Sequence, residues 1–196
     1  MRARIKTAIL ISGGGSNMET LVTAARAPDY PAEIVLVICN RPKAGGIERA
    51  KKRGIPCVVI DHKGFKTRKS FEREIDKTLR SHNIELICNA GFMRILTPWF
   101  VKQWLGRQLN IHPSLLPKHK GLHTHQRAIE AGDTEHGCTI HYVSEGMDEG
   151  EIISQARIPI HPDDTPDTLS ARVLVEEHKL YPDTLNMIAE SLRNKE

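Results

Sequence analysis

A chain of 196 residues, 39% hydrophobic and 27% charged, is long enough to bury one full core and too polar to live inside a membrane. No apolar run approaches a membrane span, and the start MRARIKTAILISGGG lacks the long apolar segment and small-residue cleavage site of a secretory leader. The net charge of +4 is spread along the chain, and the longest basic run, Lys51-Lys52-Arg53, reads as the solvated end of a helix rather than a nucleic-acid arm. The four cysteines, Cys39, Cys57, Cys88 and Cys138, form no C-x-x-C pair. Each lies in or beside an apolar segment, which predicts buried free thiols in a reducing cytoplasm.

Ile5 to Ile11 reads as a buried strand, followed by the turn Ser12-Gly13-Gly14-Gly15-Ser16-Asn17 and a helix that Ser16 or Asn17 would cap. Ile34 to Cys39 is a second strand, Gly45 to Arg53 a helix, and Cys57 to Ile60 a third strand. Thr67 to Arg80 is an amphipathic helix, with Phe71, Ile75 and Leu79 recurring every four residues. Ile84 to Cys88 is a fourth strand, Gly91 to Leu96 a loop, and Thr97-Pro98 opens a short helix carrying Trp99, Phe100 and Trp104. Gln108 to His112 is a fifth strand, ended by Pro113 because proline cannot donate to a sheet ladder.

This alternation predicts an α/β fold: a single domain built on a doubly wound, mostly parallel sheet. After a short helix over Gln126 to Ala131 the pattern changes. Gly137 to Val143 alternates polar and apolar residues, and Ile152 to Ile160 is a further strand. The loop between them, residues 144–150, is too short for a crossover helix, so these C-terminal strands form an antiparallel pair. Thr165-Pro166 caps and starts the last helix, with a break or kink at Pro182.

Three features stand where chemistry would be expected. In parallel sheets, ligands bind at the carboxyl ends of the strands, which collects the 13–17 turn, the 91–96 loop and His112 on one edge. The glycine turn lacks the third glycine and the acidic residue of a dinucleotide fingerprint, so it is either a monophosphate cradle or a tight structural turn. Asn110 and His112 stand two apart on one strand and share a face. They are either a buried polar pair that fixes a loop, or an oxyanion donor beside a proton carrier.

Asp148, between Gly146 and Gly150, is either a turn aspartate bonding its own backbone or a carboxylate that reaches His112 and stabilises an imidazolium. With no serine or cysteine in the set, direct acyl transfer between two bound substrates suits it better than covalent catalysis. Six of the ten histidines fall between His112 and His141. No H-E-x-x-H or cysteine pairing supports His123-x-His125 as a metal site, so no metal is expected.

The segments LNIHPSLLPK and GLHTH, preceded by AGFMRIL and followed by the M-D-E-G loop, closely resemble the folate-dependent phosphoribosylglycinamide formyltransferases of purine synthesis, from the first strand to about Pro182. In that family 10-formyltetrahydrofolate gives its formyl group to the amine of glycinamide ribonucleotide. The resemblance implies that Asn110 bonds the developing oxyanion, that His112 carries the proton, and that Asp148 holds His112 and an ordered water. It implies that Gly14, Gly15, Ser16 and Asn17 bind the nucleotide phosphate and that Glu177 binds its ribose. Arg68, Met93, Arg94, Ile95, Leu96, Val143 and Met147 would contact the folate. The resemblance thus implies a nucleotide-binding half over about residues 1–90 and a folate-binding and catalytic half over about 91–196 of the single domain.

Two positions depart from the family pattern: Leu174 replaces a substrate-contacting glutamine of some members, and Asn89 stands where an apolar residue is usual. The expected partners are these two small molecules, with no nucleic acid or membrane, in a monomer or a homodimer.

Competing expectations are a methionyl-tRNA formyltransferase, a formyltetrahydrofolate hydrolase and a non-catalytic folate- or nucleotide-binding module. The first would continue past Glu196 into a basic domain and carries a different loop after its LLP element. The second would need a regulatory domain before Ile5. The third has no need of Asn110, His112 and Asp148 together.

Overall fold

The computed structural model describes residues 3–194. Seven strands form one sheet: β1 (Ile5–Ile11), β2 (Ala32–Cys39), β3 (Cys57–Val59), β4 (Leu86–Asn89), β5 (Gln108–His112), β6 (Glu135–Tyr142) and β7 (Ile152–Pro159). Their order is β3-β2-β1-β4-β5-β6-β7. The first five pair in parallel, and β6 runs antiparallel to both β5 and β7. The expected C-terminal pair is therefore present, and its direction reversal begins at the β5–β6 seam.

The helices are α1 (Ser16–Ala24), α2 (Gly45–Lys52), α3 (Arg68–Ser81), α4 (Pro98–Gln103), α5 (Thr124–Glu130) and α6 (Pro166–Arg193). Strand alternation sorts the core between them. Ile9, Ile11, Leu109 and Ile111 pack with Met18 and Leu21 of α1 and with Tyr181, Leu185 and Ala189 of α6. Ala8, Leu10 and Ile87 face the other way, onto Phe71, Ile75 and Leu79 of α3 and Phe100 of α4. The strands are apolar on both sides because helices cover both faces of a parallel sheet.

Two expectations change. Neither Ser16 nor Asn17 caps α1: Gly15 holds the N-cap position at φ +77°, where a side chain is disfavoured, and makes no side-chain cap. The first amides of α1 are thus left to other acceptors. Helix α6 runs unbroken through Pro182. It is anchored on both sides of the proline by Tyr181 and Leu185 in the core, and Tyr30 donates its hydroxyl to the Pro182 carbonyl at 2.6 Å. Its start is as expected, with Thr165 and Thr168 forming a reciprocal capping box and Pro166 in the first turn.

Cys39, Cys88 and Cys138 are buried free thiols and Cys57 is half-buried. Burial pushes Cys88 and Cys138 up to about 12, which makes them inert. No helix among the described residues is long and apolar enough to cross a membrane.

Candidate active site

The carboxyl ends of β1, β4 and β5 lie side by side, and the loops that leave them are tied together. Ser12 donates its backbone N–H to the Gly91 carbonyl at 3.1 Å, and its hydroxyl accepts from Met93 N at 2.8 Å. The far end of that loop is held by Glu72, a buried carboxylate on α3 that accepts from the Thr97 amide at 2.7 Å and from the Thr97 hydroxyl. Residues 92–97 are therefore fixed at both ends by buried polar groups.

On β5, Asn110 and His112 share a face, opposite His141 and Thr139 of β6. The His141 ring explains how Asn110 is held. Its Nδ1–H donates to the Tyr142 carbonyl at 2.9 Å, which leaves Nε2 as an acceptor for the Asn110 amide at 3.1 Å. Burial lowers the His141 pKa and so keeps that lone pair available. One N–H of Asn110 is thereby committed, and the second remains for a ligand.

His112 is buried, with Nδ1 at 3.4 Å from Asp148 Oδ2 and Nε2 donating to the His119 carbonyl at 3.0 Å. The second carboxylate oxygen of Asp148 lies 3.8 Å from His141 Nε2. The three residues singled out in sequence are thus brought together, with His141 as a fourth member.

Asp148 arrives by an indirect route. Val143 donates its N–H to the Gln108 carbonyl, so the 143–151 loop leaves β6 beside the amino end of β5, not at its carboxyl end. It then folds back across the face carrying Gln108, Asn110 and His112. Asp148 sits at φ +54° and accepts from Gly121 N at 2.9 Å, which fixes the returning loop against the 113–123 segment. Gly150 is obligatory here: a Cβ would stand 1.6 Å from the Tyr142 carbonyl oxygen.

At the β1 end, Asn17 donates its side-chain N–H to Glu177 at 2.7 Å, joining the glycine turn to α6. The Asn17 Oδ1 is buried without a partner, and burial raises the Glu177 pKa. Leu174, half-buried three residues before Glu177, offers no polar group. Asn89 is buried and accepts from Gln108 Nε2 at 3.0 Å. It has a partner of its own, a pairing that two residues 19 apart in sequence did not announce.

Arg68 and Arg94 line one cleft of about 210 Å³ together with His62, Phe65, Lys66, Thr67 and Phe71. Arg94 lines this cleft, and its buried Nε has no hydrogen-bond partner. Met93, Ile95 and Met147 expose apolar surface, whereas Leu96 and Val143 are half-buried. Among the described residues, no group of three or more His, Cys, Asp or Glu side chains is placed to hold a metal ion.

A doubly wound sheet with a glycine turn, an arginine-lined cleft and an amide–imidazole–carboxylate set has the parts of a group-transfer enzyme. The chain belongs to the formyl transferase family, whose model matches residues 5–185. Its relatives of similar length place it among the phosphoribosylglycinamide formyltransferases. The one from Haemophilus influenzae is 47% identical over 90% of this chain and 84% of its own length. The crystal structure of the one from Brucella melitensis superposes with a TM-score of 0.91 at 49% identity, covering 95% of this chain and 96% of that one. The trifunctional purine biosynthetic protein adenosine-3 of Drosophila melanogaster is 49% identical over 94% of this chain, which spans 14% of that protein's length.

Proposed function

We propose that this chain transfers a formyl group from 10-formyltetrahydrofolate to the amine of glycinamide ribonucleotide, by direct attack through a tetrahedral intermediate and with no covalent enzyme intermediate. The observation that carries this is the contact of His112 Nδ1 with Asp148 beside an Asn110 amide that has one N–H to spare. The amine nitrogen bonds to the formyl carbon, and the formyl oxygen takes up negative charge. Asn110 donates to that oxygen, where a positioned donor is worth most. Collapse breaks the bond to the folate nitrogen, which leaves with a proton while the amine loses one. His112 and Asp148, with an ordered water between substrates and side chains, carry that proton.

The substrates fit the groups on either side. The uncapped start of α1, with Gly14, Gly15, Ser16 and Asn17, suits the nucleotide phosphate. Glu177 and the unpartnered Asn17 Oδ1 suit ribose hydroxyls. Arg68 and Arg94, which line one cleft, suit the carboxylates of a folate, and the apolar surface of Met93, Ile95 and Met147 suits its rings.

The test incubates the protein with 10-formyltetrahydrofolate, with and without glycinamide ribonucleotide. Loss of the donor that depends on the amine is the expected result. Loss without the amine identifies a hydrolase, and no loss identifies a binding module.

A further inference from the structure

The proton-carrying role given to His112 leaves open which of its ring nitrogens exchanges the proton. The 113–123 segment holds the answer. His112 Nε2 faces the His119 carbonyl at 3.0 Å. A carbonyl can only accept, so Nε2 carries its hydrogen whether the ring is neutral or cationic. The proton that comes and goes is therefore on Nδ1, the nitrogen facing Asp148.

This assignment lasts only while the carbonyl stays in place, and it belongs to a residue in an uncomfortable conformation. His119 sits at φ +52°, in the left-handed region, without being a glycine. Its own side chain holds it there. His119 Nε2 is 2.7 Å from Asp133 Oδ2, and Asp133 takes Lys118 Nζ on its other oxygen at 2.8 Å. Asp133 lies in the turn between α5 and β6, and its N–H is tied to the Ala128 carbonyl. The His119 ring also meets His136 edge-on at 6.1 Å between centroids. A separate brace, the Ser114 hydroxyl on the Lys118 carbonyl at 2.7 Å, holds the loop one residue earlier.

We infer that Asp133 and His119 are positioning residues for His112: the Asp133 carboxylate latches the strained His119, whose carbonyl fixes the His112 tautomer and leaves Nδ1 as the exchanging nitrogen. This rests on the formyl-transfer reading of the same site. Neither residue touches the reacting atoms. They act as a carboxylate and a backbone carbonyl do behind metal-ligating histidines, where such partners fix the tautomer and their loss costs about tenfold or more.

The test compares the parent with His119→Ala, Asp133→Ala, His119→Gln and Lys118→Ala, all in the full chain. Nitrogen-15 spectra of the His112 ring report its tautomer, and steady-state kinetics separate kcat from KM. His119→Ala and Asp133→Ala should each lower kcat about tenfold with KM for the nucleotide unchanged, and should mix the His112 tautomers. The double variant should be no worse than either single one, because both break one latch. His119→Gln, whose amide N–H reaches a similar distance, should recover most of kcat, and Lys118→Ala should retain it. A single Nε2–H tautomer with parental kcat in His119→Ala would overturn the inference. So would a loss that His119→Gln leaves unrepaired while the thermal midpoint is parental. If the parent shows no amine-dependent formyl transfer, the proposed function fails, but the tautomer spectra still decide on the latch.

Discussion

Asn110 carries the sharpest test at the scale of single residues. His141 orients its amide, so the side chain reaches the substrate with one hydrogen already aimed. Asn110→Ala should reduce kcat by roughly a hundred- to a thousandfold, as loss of a positioned oxyanion donor does. Nucleotide binding, measured by calorimetry, should stay near parental, because the glycine turn and Glu177 lie at another strand end. Normal turnover in this variant would remove Asn110 from the mechanism. Asp148→Asn keeps the shape and removes the charge beside His112 Nδ1. Its kcat should drop and its pH–rate profile should change; an identical profile would exclude a proton-handling role for Asp148.

Asn110 and His112 were legible in the sequence because strand alternation fixes which side chains share a face. His141 was visible only as one residue of an alternating run. Its importance depends on a β5–β6 register that no local pattern encodes. The His119 carbonyl gave no signal at all, because the functional atom is backbone.

At the scale of elements, the 143–151 loop is where sequence reasoning and structure part most clearly. Its glycines and its aspartate were readable, and so was the antiparallel pairing of the strands it joins. Its path was not. An antiparallel β6 delivers the loop to the amino end of β5, and only the fold back across the sheet face returns Asp148 to His112. Gly150 is the pivot of that return, with no room for a methyl group against the Tyr142 carbonyl. Gly150→Ala should therefore displace the loop and lower kcat more than tenfold, while overpacking costs only about 1–3 kcal/mol of stability. Kinetics alongside urea denaturation would check this, and full activity would show that Asp148 does not need the present loop path. The cap of α1 departs from the sequence expectation for a related reason. Ser16 and Asn17 have the right chemistry for capping, but Asn17 is drawn to Glu177 from α6, 160 residues away.

At the scale of the whole molecule, histidines with lowered pKa tie stability to pH. Burial, reinforced by His125 and His119, lowers the His136 pKa to about 4 from an ordinary 6.5. His125 and His141 shift in the same direction, with burial as the largest cause. Between 6.5 and about 4 the unfolded chain binds protons that the folded one refuses. Stability from neutral His136 is thus fully present above 6.5 and is lost as pH falls towards 4, by up to about 3 kcal/mol. The lowered carboxylates Asp133 and Glu19 act further down, as the pH falls through and below their ordinary values. Unfolding free energies at about pH 7 and about pH 4.5 should differ less in His136→Gln than in the parent. An equal difference would show that His136 is not the group responsible. The fold at this scale was largely legible, because runs such as Ile5–Ile11 are apolar on both faces and the four-residue spacing of α3 is unbroken. The strand order was not, since the sequence never states which strands are neighbours.

Helix α6 has a consequence for how the two ends of the site keep their distance. Glu177 holds the Asn17 amide, and one turn later the Tyr181 hydroxyl reaches the Asn89 carbonyl at 3.0 Å, with that of Leu109 at 3.4 Å. A single helical turn therefore gauges the gap between the glycine turn and the strands that carry Asn110. Loops accommodate insertions by bulging, but a helix passes them on as rotation, about 100° for each added residue. One residue inserted between Glu177 and Tyr181 would throw the two contacts onto different sides of α6. The spacing between acceptor and donor is thus a machined tolerance, set by a part that lies outside the site itself.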